Sequence, residues 1–196
     1  MIKKLCFLLL LSLTPCTFAG AFLIRHATAN DIPALVTFYK HIAQQNNGLA
    51  KTPQEITTEY VTDIVTRKTN NGFCLVVKDH NKQMHGVIHT QRLEPQGLSQ
   101  TLGETTLLIN PELHGKGIDE QLVTSSMRVI QESYHDILRF EAVVRESDQR
   151  SLNLYTSAGF KQEGRLVKKD GNNNGDLEAA VVMVWFRPKT VLRSKI

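Results

Sequence analysis

The run Ile109-Asn110-Pro111-Glu112-Leu113-His114-Gly115-Lys116-Gly117-Ile118-Asp119 holds the residue types best suited to chemistry in this chain. It reads as a buried strand that stops at a proline, passes through a Gly-x-Gly turn and opens an amphipathic helix. Glycines at that spacing let the backbone approach a ligand closely, and a helix start leaves N–H groups without acceptors. Such donors suit a pyrophosphate, while a tight strand-to-helix turn asks for glycine on its own account. Other candidates are thinner. His89 has the ordinary pKa range of a neutral-pH base, but a lone strand histidine is more often simply accommodated. His85 and His89 lie four apart on a strand pattern, which separates their side chains by roughly 13 Å, so no metal site is predicted. Cys74, inside Phe73-Cys74-Leu75-Val76-Val77, reads as a buried structural thiol.

A second block is Asp148-Gln149-Arg150-Ser151-Leu152-Asn153-Leu154-Tyr155-Thr156-Ser157-Ala158-Gly159-Phe160. It continues as Glu163-Gly164-Arg165 and Asp170-Gly171 and ends on a hydrophobic strand carrying Met183. The two blocks together resemble the GNAT superfamily of acetyl-coenzyme A-dependent N-acyltransferases, from about Phe22 to about Phe186. In that family a strand ending in Val-x-Pro leads into Arg/Gln-x-x-Gly-x-Gly/Ala. A later helix reads Asn-x-x-Ala/Ser-x-x-Leu-Tyr-x-x-x-Gly-Phe. Three positions depart: His114 stands for Arg or Gln, Asp119 for the last Gly or Ala, and Asp148 for Asn.

The resemblance implies an α/β (α+β) fold with one domain, its mixed, mostly antiparallel central sheet flanked by helices on both faces. It also implies that a primary amine attacks acetyl-coenzyme A directly while both are bound. The coenzyme pyrophosphate would lie on the loop, giving coenzyme contacts at Leu108, Ile109, His114, Gly115, Lys116, Gly117, Ile118, Asp119 and Asp148. A backbone N–H at a bulge in the strand before that loop, near Leu108 or Ile109, would hold the oxyanion, a contribution of roughly 3 kcal/mol. Tyr155 would return a proton to the departing thiolate, since a phenol pKa near 10 is close to that of an aliphatic thiol. Glu104 is the expected base, acting through water, with His89 as the second candidate. The acceptor would be a small amine, a peptide or a protein N-terminus. Asp119 facing a pyrophosphate would repel it by about 1 kcal/mol in water and about 4 at an effective dielectric of 20. The alternative is therefore a non-catalytic module of the same fold, binding a partner or another ligand in the cleft.

Positioning these residues takes a string of elements. A strand at 22–26 leads to Asn30 or Asp31 as an N-cap, with Pro33 in the first turn of a helix reaching about residue 45. Ile32, Leu35, Val36, Tyr39 and Ile42 fall on its buried face. Thr52-Pro53-Gln54-Glu55 looks like the capped start of a second helix carrying Ile56, Tyr60, Val61 and Ile64. The segment 44–59 is expected to border the acceptor pocket. Strands are predicted at 73–78, 86–93 and 104–109. After Gly117 a helix places Leu122, Val123, Met127 and Ile130 on one side. A strand at 138–144, the Tyr155 helix and two further strands complete the order, with a turn-rich connection at 170–175.

A chain of 196 residues suffices for one domain with a sizeable core. The formal net charge is +4, and no basic run is interleaved with aromatics, so a nucleic-acid surface is not indicated. Half of that excess is Lys3 and Lys4, which precede an apolar run from Leu5 to Leu13, then Pro15 and Ala19-Gly20-Ala21. This has the layout of a secretory signal peptide over residues 1–21, with cleavage before Phe22 and an acyltransferase domain over 22–196. The run falls short of the roughly 20 residues that span a bilayer, so membrane contact is expected only during export. Pro15 before Cys16 argues against lipidation there. Export to the periplasm or the medium is the expected localisation, with a cytoplasmic protein and a misassigned start as the alternative.

Overall fold

The computed structural model describes residues 16–17, 22–45, 49, 51–66, 71–171 and 177–188. The predicted leader lies outside them, apart from the backbone of β1 (Cys16–Thr17), as does 172–175 of the turn-rich connection. The remaining elements are β2 (Phe22–His26), α1 (Ile32–Ala43), α2 (Thr58–Thr66), β3 (Gly72–Asp79), β4 (Met84–Arg92) and β5 (Thr101–Ile109). Then come α3 (Ile118–Ser133), β6 (Arg139–Arg145), α4 (Gln149–Ser157), β7 (Lys161–Gly171) and β8 (Leu177–Phe186). The fold class is the expected one: a single mixed sheet in the order β1-β2-β3-β4-β5-β6-β8-β7, with every neighbouring pair antiparallel except β5 with β6.

Two apolar clusters cover the two faces. On one, α1 and α2 bring Leu35, Phe38, Tyr39, Ile42, Val61 and Ile64 against Cys74, Val76, Val87 and Leu108. On the other, Ile118, Leu122, Val123 and Ile130 of α3 and Leu154 and Tyr155 of α4 meet Leu75, Ile88, Leu102 and Ile109. The central strands β3 and β4 are buried on both sides; β3 accordingly reads as a near-continuous apolar run, while β4 carries His85, His89 and Thr90 into the interior. Cys74 lies in this interior, as its run implied. Phe38 joins the core of α1, while Ile32 and Val36 are only half-buried.

The second helix starts later than its sequence suggests. Glu55 accepts from the Thr52 N–H (2.7 Å) and the Thr52 hydroxyl (2.8 Å), so the cap signal is real but closes a turn. Ile56 then plugs the core at 1% exposure, and Thr57 caps α2 by accepting from Tyr60 N–H at 3.1 Å. At the far end of α3, Arg187 donates to the carbonyls of Ile130, Tyr134 and Ile137, each at 2.7 Å. It adds a second bond to the Ile130 and Tyr134 carbonyls, which already accept from the Tyr134 and Ile137 N–H groups, and its charge suits a helix C-terminus.

Candidate active site

The parallel pair β5–β6 is joined only at Thr101↔Arg139 and Leu102↔Phe140. Beyond that the strands part, and the Thr105 hydroxyl, donating to the Glu141 carbonyl at 2.6 Å, reaches across the divergence. A bulge opens the same stretch. His89 pairs with Thr106 but Gln91 with Gly103, so β5 has one residue more than β4 opposite Thr90. Glu104 takes the left-handed conformation there (φ 49°), which is uncommon for a non-glycine residue. The extra residue switches faces: Leu102 packs under α3, and so do Leu107 and Ile109 five and seven residues on.

The Asn110 N–H donates to the His85 carbonyl at 2.8 Å. Antiparallel ladders alternate, so the N–H of Leu108 turns to β4 and that of Ile109 turns to the gap. Of the two expected oxyanion donors, Ile109 is the one on the open side. Leu108 has its side chain in the α1/α2 core at 5% exposure.

At the C-terminal end of β5 the chain turns through Gly115 (φ 74°) and Gly117 (φ 75°) into α3. Both glycines hold left-handed conformations that a side chain would strain. A Cβ would meet nothing within 4 Å of Gly115 and nothing nearer than 3.6 Å at Gly117, so the space over the turn is open. The Gln121 N–H bonds the Gly117 carbonyl (3.2 Å), which starts the helix; the N–H groups of Ile118 and Asp119 precede that first turn of bonding and have no acceptor four residues back. Ile118, 2% exposed, pins the turn to the core, whereas Lys116 is exposed. An open, donor-rich turn of this kind fits a pyrophosphate.

Asp119 is 4% exposed. One of its oxygens accepts from the Glu120 N–H at 3.3 Å, and the other lies 3.8 Å from Nη1 of Arg150 on α4. The hydrogen bond that a protonated Glu120 donates to Asp119, and then partial burial, hold the Glu120 carboxyl above the usual carboxylate range. The His114 imidazole stands at the Ile109 carbonyl; burial and the nearby Arg150 charge lower its pKa against the opposing pull of Asp119. Asp148 caps α4, accepting from Ser151 N–H (3.0 Å) and the Ser151 hydroxyl (2.6 Å), which is the local reason that a carboxylate serves there. Tyr155, 3% exposed, packs edge-on against Phe160 with centroids 5.0 Å apart, and burial pushes its phenol well above the usual range.

The loop residues, Ile109, Asp148 and Tyr155 thus gather on the α3/α4 side, and Arg150 is the member of this group that motif reading passed over. Glu104 lies on the other side, exposed, accepting a bond from Gln91. It lines a cavity of about 440 Å³ with Asp63, Arg92 and Glu94. His89 is 5% exposed under α1, its ring 6.2 Å from that of Tyr39. Among the described residues no three His, Cys, Asp or Glu side chains come together to hold a metal, and no helix is long and apolar enough to cross a membrane.

Comparison with known proteins follows the same outline. Residues 22–161 match the family model of the acetyltransferase (GNAT) domain. The structure of YncA from Salmonella typhimurium with its cofactor acetyl-CoA superposes with a TM-score of 0.74 at 18% identity, covering 90% of this chain and 100% of that one. Ribosomal-protein-alanine N-acetyltransferase from Brucella melitensis gives 0.72 at 22% identity, over 84% and 99% of the two chains. Ribosomal-protein-S5-alanine acetyltransferase from Vibrio fischeri gives 0.71 at 19%, over 88% and 97%. No curated protein sequence matches the chain.

Proposed function

This chain belongs to the GNAT acetyltransferase family and is an acyltransferase, and we propose that it moves the acetyl group of acetyl-coenzyme A onto a primary amine while both are bound. One observation carries the reading: β5 parts from β6 between a glycine turn suited to pyrophosphate and a carboxylate-lined cavity. Residues Glu104 to Ile109 span about 17 Å of strand, a distance an extended pantetheine arm covers.

In this reading acetyl-coenzyme A supplies the thioester, and the chain supplies position and protons. The Ile109 N–H faces the point where carbonyl oxygen gains charge and stabilises it. The amine nitrogen gives its lone pair to the carbonyl carbon, and the proton it sheds passes toward Glu104. The carbon–sulfur bond breaks, and the thiolate takes its proton from Tyr155. Burial raises the phenol above the range of an aliphatic thiol, so the near-balance expected from ordinary pKa values is lost, and Tyr155 gives up its proton only to a thiolate that is itself desolvated.

Calorimetric titration of the full chain with acetyl-coenzyme A, followed by an amine-dependent assay of coenzyme thiol release, tests the proposal. Micromolar binding and thiol release are expected. A folded protein that binds no coenzyme would put the non-catalytic module in its place. Tyr155→Phe is expected to lower turnover by about tenfold to a hundredfold with coenzyme affinity unchanged; lost binding would count against the proton-donor role.

We also propose that residues 1–21 are a leader removed on export, motivated by Lys3, Lys4, the apolar run and Ala19-Gly20-Ala21. Cleavage there would remove β1 and leave β2 as the sheet edge. N-terminal sequencing of the native protein reads Phe22 first if this holds and Met1 if it does not.

A further inference from the structure

We propose that Arg150 is a phosphate ligand of the coenzyme, its guanidinium leaving Asp119 for the phosphate groups when acetyl-coenzyme A binds. This rests on the reading above that acetyl-coenzyme A is the donor. The backbone N–H groups of the glycine turn suit a pyrophosphate but carry no net charge, and the two acidic residues in the first turn of α3, Asp119 and Glu120, oppose it. The site calls for a cation beside that turn, and Arg150, in the first turn of α4, is placed there. Its Nη1 lies 3.8 Å from Asp119. Its charge is felt at both ends of the turn, lowering the His114 pKa and offsetting the rise at Glu120.

The state of this guanidinium sets it apart. Arg25, Arg92, Arg139, Arg165 and Arg187 each make at least two hydrogen bonds, to carboxylates or to carbonyls. Among the described residues Arg150 makes none: 3.8 Å is beyond hydrogen-bond length, and the side chain is 45% exposed. A pair built only to neutralise Asp119 would close as Arg25 closes on Asp31, at 2.7 and 2.9 Å. Arg150 instead keeps its planar fork of donors open, and that fork is the geometry that takes a phosphate bidentately. Its exposure lets it swing at little desolvation cost, and Asp119 keeps the Glu120 N–H when it goes. The coenzyme presents this chemistry twice, in its pyrophosphate and in its 3′-phosphate.

The test is calorimetric titration of the full chain, and of its Arg150→Gln and Arg150→Lys variants, with acetyl-coenzyme A and acetyl-dephospho-coenzyme A; thermal unfolding confirms that each variant is folded. Arg150→Gln is expected to bind acetyl-coenzyme A about tenfold more weakly, and to raise its KM with kcat unchanged, because the contact is the same in ground and transition states. Arg150→Lys keeps the charge without the fork and should recover about threefold of that loss. The loss should shrink at high salt. With Arg150→Gln in place, the gain from Asp119→Asn should fall to about threefold, since no guanidinium remains to be released. A loss that disappears with acetyl-dephospho-coenzyme A assigns the contact to the 3′-phosphate, and one that persists assigns it to the pyrophosphate. Equal affinity of the parent and Arg150→Gln would overturn the proposal and leave acetyl transfer standing. So would a loss that neither Arg150→Lys nor salt lessens, the mark of a purely structural role. Coenzyme binding without transfer to any amine would end the acetyl-transfer reading and leave the role of Arg150 to these ratios; no binding by the folded parent would end both.

Discussion

Asp31 and Asp119 are both buried aspartates at the start of a helix, and their surroundings could hardly differ more. Asp31 is 1% exposed with every direction filled. Arg25 reaches it twice, at 2.7 and 2.9 Å, Lys78 lies at 2.6 Å, and the Thr28 N–H and hydroxyl donate at 2.8 and 2.9 Å. Asp119, 4% exposed, has one long backbone bond, a carboxyl neighbour in Glu120 and a guanidinium at 3.8 Å. A buried charge with complete partners belongs to the scaffold. One held loosely beside a helix start, where a phosphate would be received, is poised to respond to what arrives. The same residue type therefore marks architecture at one helix and the candidate site at the other.

The comparison is tested most strongly at Asp31. Removing one member of a buried charge cluster leaves the rest uncompensated, so Asp31→Asn is expected to destabilise the fold by about 3–5 kcal/mol at neutral pH. The pH dependence has a definite sign. The Arg25 hydrogen bonds, then Lys78 and Thr28, hold the Asp31 carboxyl well below its ordinary value of 3.8, against the opposing effect of burial. Its stabilisation is complete above that ordinary value and is lost as pH falls through the lower, folded one. Urea unfolding at a series of pH values checks this: the parent loses stability in acid below 3.8, and the variant lacks that component. Coenzyme affinity per folded molecule should stay the same. A change in affinity would break the division between scaffold and site.

The sequence reading went furthest where one local signal had no competitor. The apolar run of β3, the proline that ends β5 and the Gly-x-Gly turn are each determined within a few residues. Asp31 shows the limit. Its place before a helix was legible as a cap, but its side chain turns instead to Arg25 and Lys78, and nothing near it in sequence names Lys78 as a partner. The start of α2 was misplaced because Thr52 and Thr57 both carry cap chemistry, and only the burial of Ile56 between them decides which begins the helix. The resemblance implied a bulge in β5 near Leu108 or Ile109, but the register shifts at Glu104 and Thr105, and glutamate is not a residue that advertises a left-handed backbone. The acidic cavity gave no signal: Asp63, Glu94 and Glu104 become neighbours only when α2 packs on the sheet.

A smaller effect is expected at Asp119. Asp119→Asn keeps an acceptor for the Glu120 N–H and removes the negative charge from the edge of the glycine turn. Stability should change by less than about 1 kcal/mol, the scale of a charge at a helix N-terminus. Acetyl-coenzyme A should bind about tenfold tighter, because repulsion falls and Arg150 no longer answers to a carboxylate. Calorimetry at two salt concentrations measures it, with the gain expected to shrink at high salt. Weaker binding would sharpen the contrast differently: Asp119 would then be holding Arg150 where the ligand needs it.

The smallest effect belongs to His114 and depends on Asp119 directly. Burial and the Arg150 charge lower the imidazole below its ordinary 6.5, while Asp119 pulls the other way, so the ring is neutral at neutral pH. A bound phosphate favours the protonated ring, so binding takes up a proton only in acid. Coenzyme affinity should therefore be flat above neutrality and rise about threefold as the pH falls below the ordinary imidazole value of 6.5. His114→Gln should remove the rise. In Asp119→Asn the imidazole loses its supporting carboxylate, so the rise should move to still lower pH; in Asp31→Asn it should not move. A profile that shifts in both aspartate variants would mean the two charge clusters communicate through the sheet, and the distinction between them would fail at its most sensitive point.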